Sequence, residues 1–89
     1  MLIVPSPKFK KTYKKLAPAA QKIVEQAIDT VLGQPRVGAL KKGDLAGLYV
    51  YKFRMNNQLT LLGYRLKEND TIPELIDVGP HENFYRDLK

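Results

Sequence analysis

The sequence has no cysteine and a single histidine, His81. This rules out disulfide staples, a thiol nucleophile and a zinc site built from cysteine and histidine. Serine is equally scarce: Ser6 stands alone, directly before Pro7, where it suits a helix cap and has no base beside it to make it a nucleophile. There is no GxGxxG fingerprint and no GxxxxGK[ST] phosphate loop. No apolar run approaches the roughly 20 residues needed to span a membrane, and the run 1–5 is too short for a signal peptide. What remains is a small domain held together by packing. It fits the cytoplasm, with no metal, cofactor or membrane expected.

Acids are the other scarcity, and they are scarce in one place. Residues 1–65 carry three acids against twelve lysines and arginines, whereas residues 66–89 carry six against three. The whole chain is +6. That balance suits a polyanion or an acidic protein partner; a solvated lysine-rich surface is the other reading of the same charge. A length of 89 residues allows one domain, 1–89, with a single core. With 44% hydrophobic and 27% charged residues, the chain belongs with folded proteins and not with disordered ones.

Periodicity organises what is present. Residues 2–4 read as a short strand closed by Pro5, followed by Ser6 as N-cap and Pro7 at the first helical position. Phe9, Tyr13 and Leu16 share one helical face with Thr12 beside them, and Lys8, Lys10, Lys11, Lys14 and Lys15 fill most of the rest. After the break at Ala17-Pro18, a second helix is expected from Ala19 to Leu32. Its stripe is Ala20, Ile23, Val24, Ala27, Ile28 and Val31, with Gly33 as C-cap. Residues 34–47 read as a loop. From Leu45 the period shortens to 2, giving strands at 48–55, 58–66 and 72–78, with Asn56-Asn57 and residues 67–70 as turns. The expected fold is α+β: a β-α-α-β-β-β order with a helical hairpin on one face of a mostly antiparallel sheet.

Alternation then sorts the first long strand. Tyr49, Tyr51, Phe53 and Met55 point one way, toward the helices, and Leu48, Val50, Lys52 and Arg54 point the other. Lys52 and Arg54 stand about 7 Å apart by strand rise, a spacing that suits adjacent phosphate oxygens. His81 follows the last strand with Tyr85 four residues on. Histidine exchanges protons near neutrality, and cations with a histidine are minimal equipment for RNA cleavage by the RNA's own 2′-hydroxyl. One histidine cannot act as base and acid at once, so a second group or water is required. On the bare sequence, a lone histidine in a tail is structural or incidental more often than catalytic.

The element order, the lysine-rich first helix, Gln34-Pro35-Arg36, the run 41–49, the strand 51–54 and the ending Gly79-Pro80-His81-Glu82-Asn83-Phe84-Tyr85 together resemble the RelE/ParE superfamily of bacterial toxin–antitoxin toxins. The likeness covers essentially the whole chain. It implies a RelE-like toxin that enters the ribosomal A site and cuts mRNA there, without metal, blocking translation. Lys52 and Arg54 match the family's pair of basic residues on this strand. His81 and Tyr85 match its ending in the form found in YafQ-type toxins, which the gyrase-poisoning ParE branch generally lacks. Lys10, Lys11, Lys14, Lys15, Lys41, Lys42, Gln58 and Arg65 are implied as contacts to RNA and ribosome. Gln58 stands where many relatives carry arginine, so either Arg65, or Lys52 and Arg54, supply the missing charge, or cleavage is weaker than in typical members. The implied partner is a cognate antitoxin that masks the basic surface, with operator DNA bound only through the toxin–antitoxin complex. A gyrase inhibitor and a catalytically weak homologue serving autoregulation are the alternatives.

Overall fold

The computed structural model describes residues 3–43, 46–67, 72–80 and Phe84. Among these, the chain runs β1 (Val4–Pro5), α1 (Pro7–Lys14), α2 (Pro18–Gly33), β2 (Ala39–Leu40), β3 (Tyr49–Met55), β4 (Gln58–Lys67) and β5 (Ile72–Pro80). The strands form one mixed sheet in the order β1-β5-β4-β3-β2. β1 runs parallel to β5, and the other pairs are antiparallel.

Local chemistry explains most boundaries. The Ser6 hydroxyl accepts a hydrogen bond from the Phe9 N–H at 3.1 Å and donates one to the Ile76 carbonyl at 2.8 Å, so one side chain caps α1 and ties it to β5. Lys11 and Lys14 fall in the last turn of α1, the favourable end of the helix dipole for cations. α2 begins one residue earlier than expected, at Pro18, because proline's fixed φ and absent N–H suit the first position. Its end also differs from the sequence reading. Gly33 is the last helical residue, not a left-handed cap: Gln34 still donates its N–H to Thr30, and Pro35 cannot continue the ladder.

Asn56 and Asn57 have φ of 54° and 64°, the two positive values of a type I′ turn, whose twist matches a hairpin. The two-residue β2 inside 34–47 escaped the sequence reading. Both of its residues are exposed, so they leave no alternation to detect, and they are defined only by pairing with Tyr49 and Val50.

The main core fills the space between the helices and one sheet face. Phe9, Val24, Ala27, Ile28 and Val31 meet Tyr49, Leu62, Tyr64, Leu75 and Val78, with Tyr13 and Leu16 packed at its margin. Tyr49 and Tyr64 stack with ring centroids 5.4 Å apart. The fully buried Tyr64 donates its hydroxyl proton to the Pro35 carbonyl at 2.7 Å and accepts the Gly38 N–H at 3.0 Å, so it pins the loop after α2. Tyr64→Phe strands both backbone groups and is expected to cost about 1–3 kcal/mol, read by urea unfolding.

The same variant has a pH signature. Burial foremost holds the Tyr64 pKa above its ordinary 10.0; the Gly38 hydrogen bond pulls against this and Tyr49 reinforces it. An acid with a raised folded-state pKa gives stability that is complete below the unfolded value and lost as pH climbs through the folded one. The alkaline decline of stability above about pH 10 should therefore flatten in Tyr64→Phe.

Candidate functional site

The sheet face away from the helices carries the candidate site. On β3 it presents Val50, Lys52 and Arg54, and on β4 their register partners Gly63, Leu61 and Leu59. Lys52 and Arg54 are exposed, as the alternation predicts. Beside them lies a small second core of Leu48, Val50, Leu61 and Phe84, with Ile76 packed against it. Ile76 is the extra residue of a bulge in β5: Gly63 pairs with Asp77 and Tyr64 with Leu75. The bulge turns Ile76 to this face while Asp77, next to it, reaches α1.

Phe84, named in the sequence reading only as part of the chain's ending and given no role there, is a core residue of this face. It is only 1% exposed. Its ring occupies the space a side chain at position 63 would need: a Cβ on Gly63 would sit 2.5 Å from the ring Cζ. A glycine interrupting a strand often marks such a close approach, and that was the available signal.

Rows across the sheet show what is brought together. Phe53, Thr60 and Pro80 share one row, and Lys52, Leu61 and Gly79 the next. β5 is separated from β3 by β4, and it delivers the chain to its last residue, Pro80, level with the two cations. His81 and Tyr85 lie outside the described residues. By covalent connection His81 follows Pro80 and Tyr85 follows the anchored Phe84.

Two other expected contributors stand elsewhere. Gln58 pairs with Met55 at the hairpin end, which puts it on the helix-facing side, and Leu59 takes the position opposite Arg54. Arg65 is on the open face, but four residues beyond Leu61, or about 14 Å along the strand. Its guanidinium donates to the Ala46 carbonyl at 3.0 Å and so clamps the loop before β3. Neither stands beside Lys52 and Arg54.

The remaining lysines form a separate surface. Lys10, Lys11 and Lys14, together with Lys8, surround a shallow concavity on α1, and Lys15 is the C-cap of that helix. Lys8 lies 3.5 Å from Asp77, a buried carboxylate that also accepts the Thr12 hydroxyl at 3.2 Å. These residues wall a concavity of about 430 Å³ that runs from α1 to Gly79, Pro80 and Phe84, joining the lysine helix to the end of β5. Lys41 and Lys42 follow β2, half-buried and exposed respectively. On the far side of α1, Ile3, Phe9, Tyr13 and Ile28 line an apolar groove flanked by Lys10 and Lys14. No group of three or more His, Cys, Asp or Glu suited to a metal occurs among the described residues. No helix among them is long and apolar enough to cross a membrane.

A helical hairpin on a mixed five-stranded sheet is the architecture this chain shares with RelE-type toxins. The chain aligns with an arginine-to-alanine double mutant of Escherichia coli RelE in the free state at TM-score 0.72 and 20% identity, covering 98% of this chain and 93% of that one. RelE in the intact E. coli RelBE toxin–antitoxin complex gives 0.71 and 22%, over 89% and 94%. A YoeB/ParE toxin from Agrobacterium tumefaciens gives 0.70 and 19%, over 91% and 99%. At these identities the likeness establishes the fold. No curated protein matches the sequence. The family model of the ParE-like toxin of type II bacterial toxin–antitoxin systems matches residues 3–89, and the chain belongs to that family. It is a type II toxin of the RelE/ParE superfamily.

Proposed function

We propose that this toxin is a ribosome-dependent endoribonuclease that cuts mRNA in the A site and stops translation. The observation that carries the reading is the pairing of Lys52 and Arg54, exposed on the open face, with a chain end that β5 delivers to the same rows and that Phe84 anchors there. In this reading Lys52 and Arg54 hold the scissile phosphate and offset the charge that builds on it. A base removes the 2′-hydroxyl proton, O2′ attacks phosphorus, and the P–O5′ bond breaks. The products are a 2′,3′-cyclic phosphate and a 5′-hydroxyl, whose oxygen takes a proton from an acid. His81 fills one of these proton roles and water or a second group the other, and Tyr85 stacks on or orients the substrate. The lysines of α1 with Lys41 and Lys42 steer the protein onto ribosomal RNA. Action on ribosomes places it in the cytoplasm.

The proposed partner is an antitoxin, as in the RelBE complexes of the structural relatives. An acidic amphipathic helix suits the apolar groove between Lys10 and Lys14. Operator DNA would be contacted through the toxin–antitoxin complex.

The family model is named for ParE, which favours a second reading, gyrase poisoning. Pulse labelling after induction separates the two. Cleavage of mRNA predicts that amino-acid incorporation collapses within minutes while thymidine incorporation continues. The reverse order, with cleaved DNA accumulating, would establish gyrase as the target. Undisturbed growth despite tight antitoxin binding would leave a homologue that serves only autoregulation.

A further inference from the structure

β1 leaves the sheet early. Its pairing with β5 ends at Pro5 and Leu75, and Ser6 closes the contact, through its N–H to the Leu75 carbonyl and its hydroxyl to the Ile76 carbonyl, both at 2.8 Å. From Asp77 to Pro80, among the described residues, the outer side of β5 meets α1 and not a strand. The concavity of about 430 Å³ lies in this gap, within the roughly 300–1,000 Å³ usual for small-ligand sites. Lys8, Thr12 and Asp77 form its polar wall, and Val78, Gly79, Pro80 and Phe84 the other. Gly79 shares a row with Leu61 and Lys52, so the gap opens two strand spacings, about 10 Å, from the cation pair.

The polar wall has a definite pattern. The Asp77 side chain is only 7% exposed, and as a carboxylate it accepts hydrogen bonds but cannot donate them. Thr12 donates to its Oδ1 at 3.2 Å, and the Lys8 ammonium lies 3.5 Å from its Oδ2, which leaves each oxygen a further lone pair. The ammonium carries three donors, and Lys8 also lines the lysine concavity of α1. From Thr12 outward the wall therefore offers acceptor, acceptor, donor. The Watson–Crick edge of guanine is the complement, with N2–H and N1–H donors beside the O6 acceptor. Adenine and cytosine present one donor group on that edge, and uracil one N–H between two carbonyls. A phosphate or an acidic side chain is a poor occupant, because its charge meets the Asp77 carboxylate.

We propose that this concavity is a guanine site. The Asp77 oxygens accept N1–H and N2–H, Lys8 donates to O6, and the attached phosphate lies among the lysines of α1. The guanine belongs to the substrate RNA next to the scissile phosphate, which makes Asp77 and Lys8 specificity-determining residues for cleavage. That placement on the substrate rests on the nuclease reading; the affinity for guanine does not.

The test starts from the unmodified full-length protein, titrated with nucleoside 5′-monophosphates and followed at the amide signals of Thr12, Asp77 and Gly79. GMP should bind at least about tenfold more tightly than AMP or UMP, and IMP, which lacks only the N2 amino group, should bind about tenfold more weakly than GMP. Asp77→Asn puts one donor and one acceptor in the same volume. Its amide can donate to the Thr12 hydroxyl, whose own proton also reaches the Lys8 carbonyl at 3.1 Å. Preference should then pass from GMP to xanthosine monophosphate, in which a carbonyl replaces the amino group, a reversal that simple loss of structure does not produce. Equal binding of all the nucleotides would reduce the site to phosphate held by lysines and overturn the proposal. So would a folded Asp77→Asn variant that keeps the preference for GMP. On ribosomes, cleavage sites should be enriched in guanine beside the cut, and the enrichment should vanish in Asp77→Asn. Cutting indifferent to guanine would overturn the role in substrate choice. Selective GMP binding without any RNA cleavage upholds the guanine site and removes the nuclease reading, so the two ideas fail separately.

Discussion

Alanine at both Lys52 and Arg54 is expected to reduce mRNA cleavage on ribosomes by at least about 10²–10³-fold, the cost of removing a preorganised electrostatic partner of the transition state. The fold should be indifferent, because both side chains are exposed and surface changes of this kind move stability by about 0.5 kcal/mol or less. Lys52→Arg with Arg54→Lys keeps the charge and should recover much of the rate. It should not recover all of it, since a guanidinium fork and an ammonium present different geometry to a phosphate.

His81→Ala with Tyr85→Phe probes the proton-transfer side of the same step, for which general acid–base catalysis is worth about 10²–10⁴-fold. Groups acting together in one step are not additive, so the quadruple variant should be little worse than the weaker of the two doubles. Growth arrest should disappear in both doubles while antitoxin binding through the α1 groove persists. If the loss for Lys52 and Arg54 falls wholly on KM with kcat intact, they serve only to hold the ribosome or the RNA. Undiminished toxicity of the His81 and Tyr85 double variant would remove them from the mechanism.

The second large effect is expected at a position with no side chain. In Gly63→Ala the new methyl meets the Phe84 ring, at 2.5 Å from Cζ and 3.4 Å from Cε2, with Leu48 Cδ1 at 3.5 Å closing the other side. The ring must leave its seat. Overpacking of this kind costs about 1–3 kcal/mol, and cleavage should fall further than stability, because Phe84 lies between His81 and Tyr85 in the chain. A displacement of about 1 Å at a reacting group is enough to lose roughly 10²-fold in rate. The control is a double-mutant cycle. In a Phe84→Ala background the clash is gone, and Gly63→Ala should cost less than about 0.5 kcal/mol. Equal destabilisation in both backgrounds would show that Gly63 is needed for its own backbone and not for the ring above it.

These expectations show which features could be read in the sequence. The helical stripe of Phe9, Tyr13 and Leu16 and the alternation through Tyr49 to Met55 set the layers correctly, because a face buried against another layer imposes its period on the chain. The opposite-facing pair Lys52 and Arg54 followed from that alternation. Gln58 illustrates a reading that stopped one step short. A two-residue turn at Asn56-Asn57 pairs Met55 with Gln58, and Met55 belongs to the helix side, so Gln58 does too. β2 was illegible for the opposite reason: two exposed residues held by backbone pairing leave no trace in side-chain pattern. The burial of Asp77 was also hidden. It depends on a bulge at Ile76 and on Lys8 and Thr12 arriving from a helix more than sixty residues earlier.

The placement of β5 has a consequence for the order in which this toxin comes into being. β5 is wedged between β1 and β4, and it also receives the Ser6 hydroxyl and the core face of α1. A growing polypeptide stopped before Ile72 can pack α2 on the β3–β4 hairpin, but α1 lacks the strand it rests on. Its first strand has no neighbour. Such long-range closure is slow and comes late in folding. The segment that closes the sheet is thus also the one that carries the chain to the face proposed for RNA.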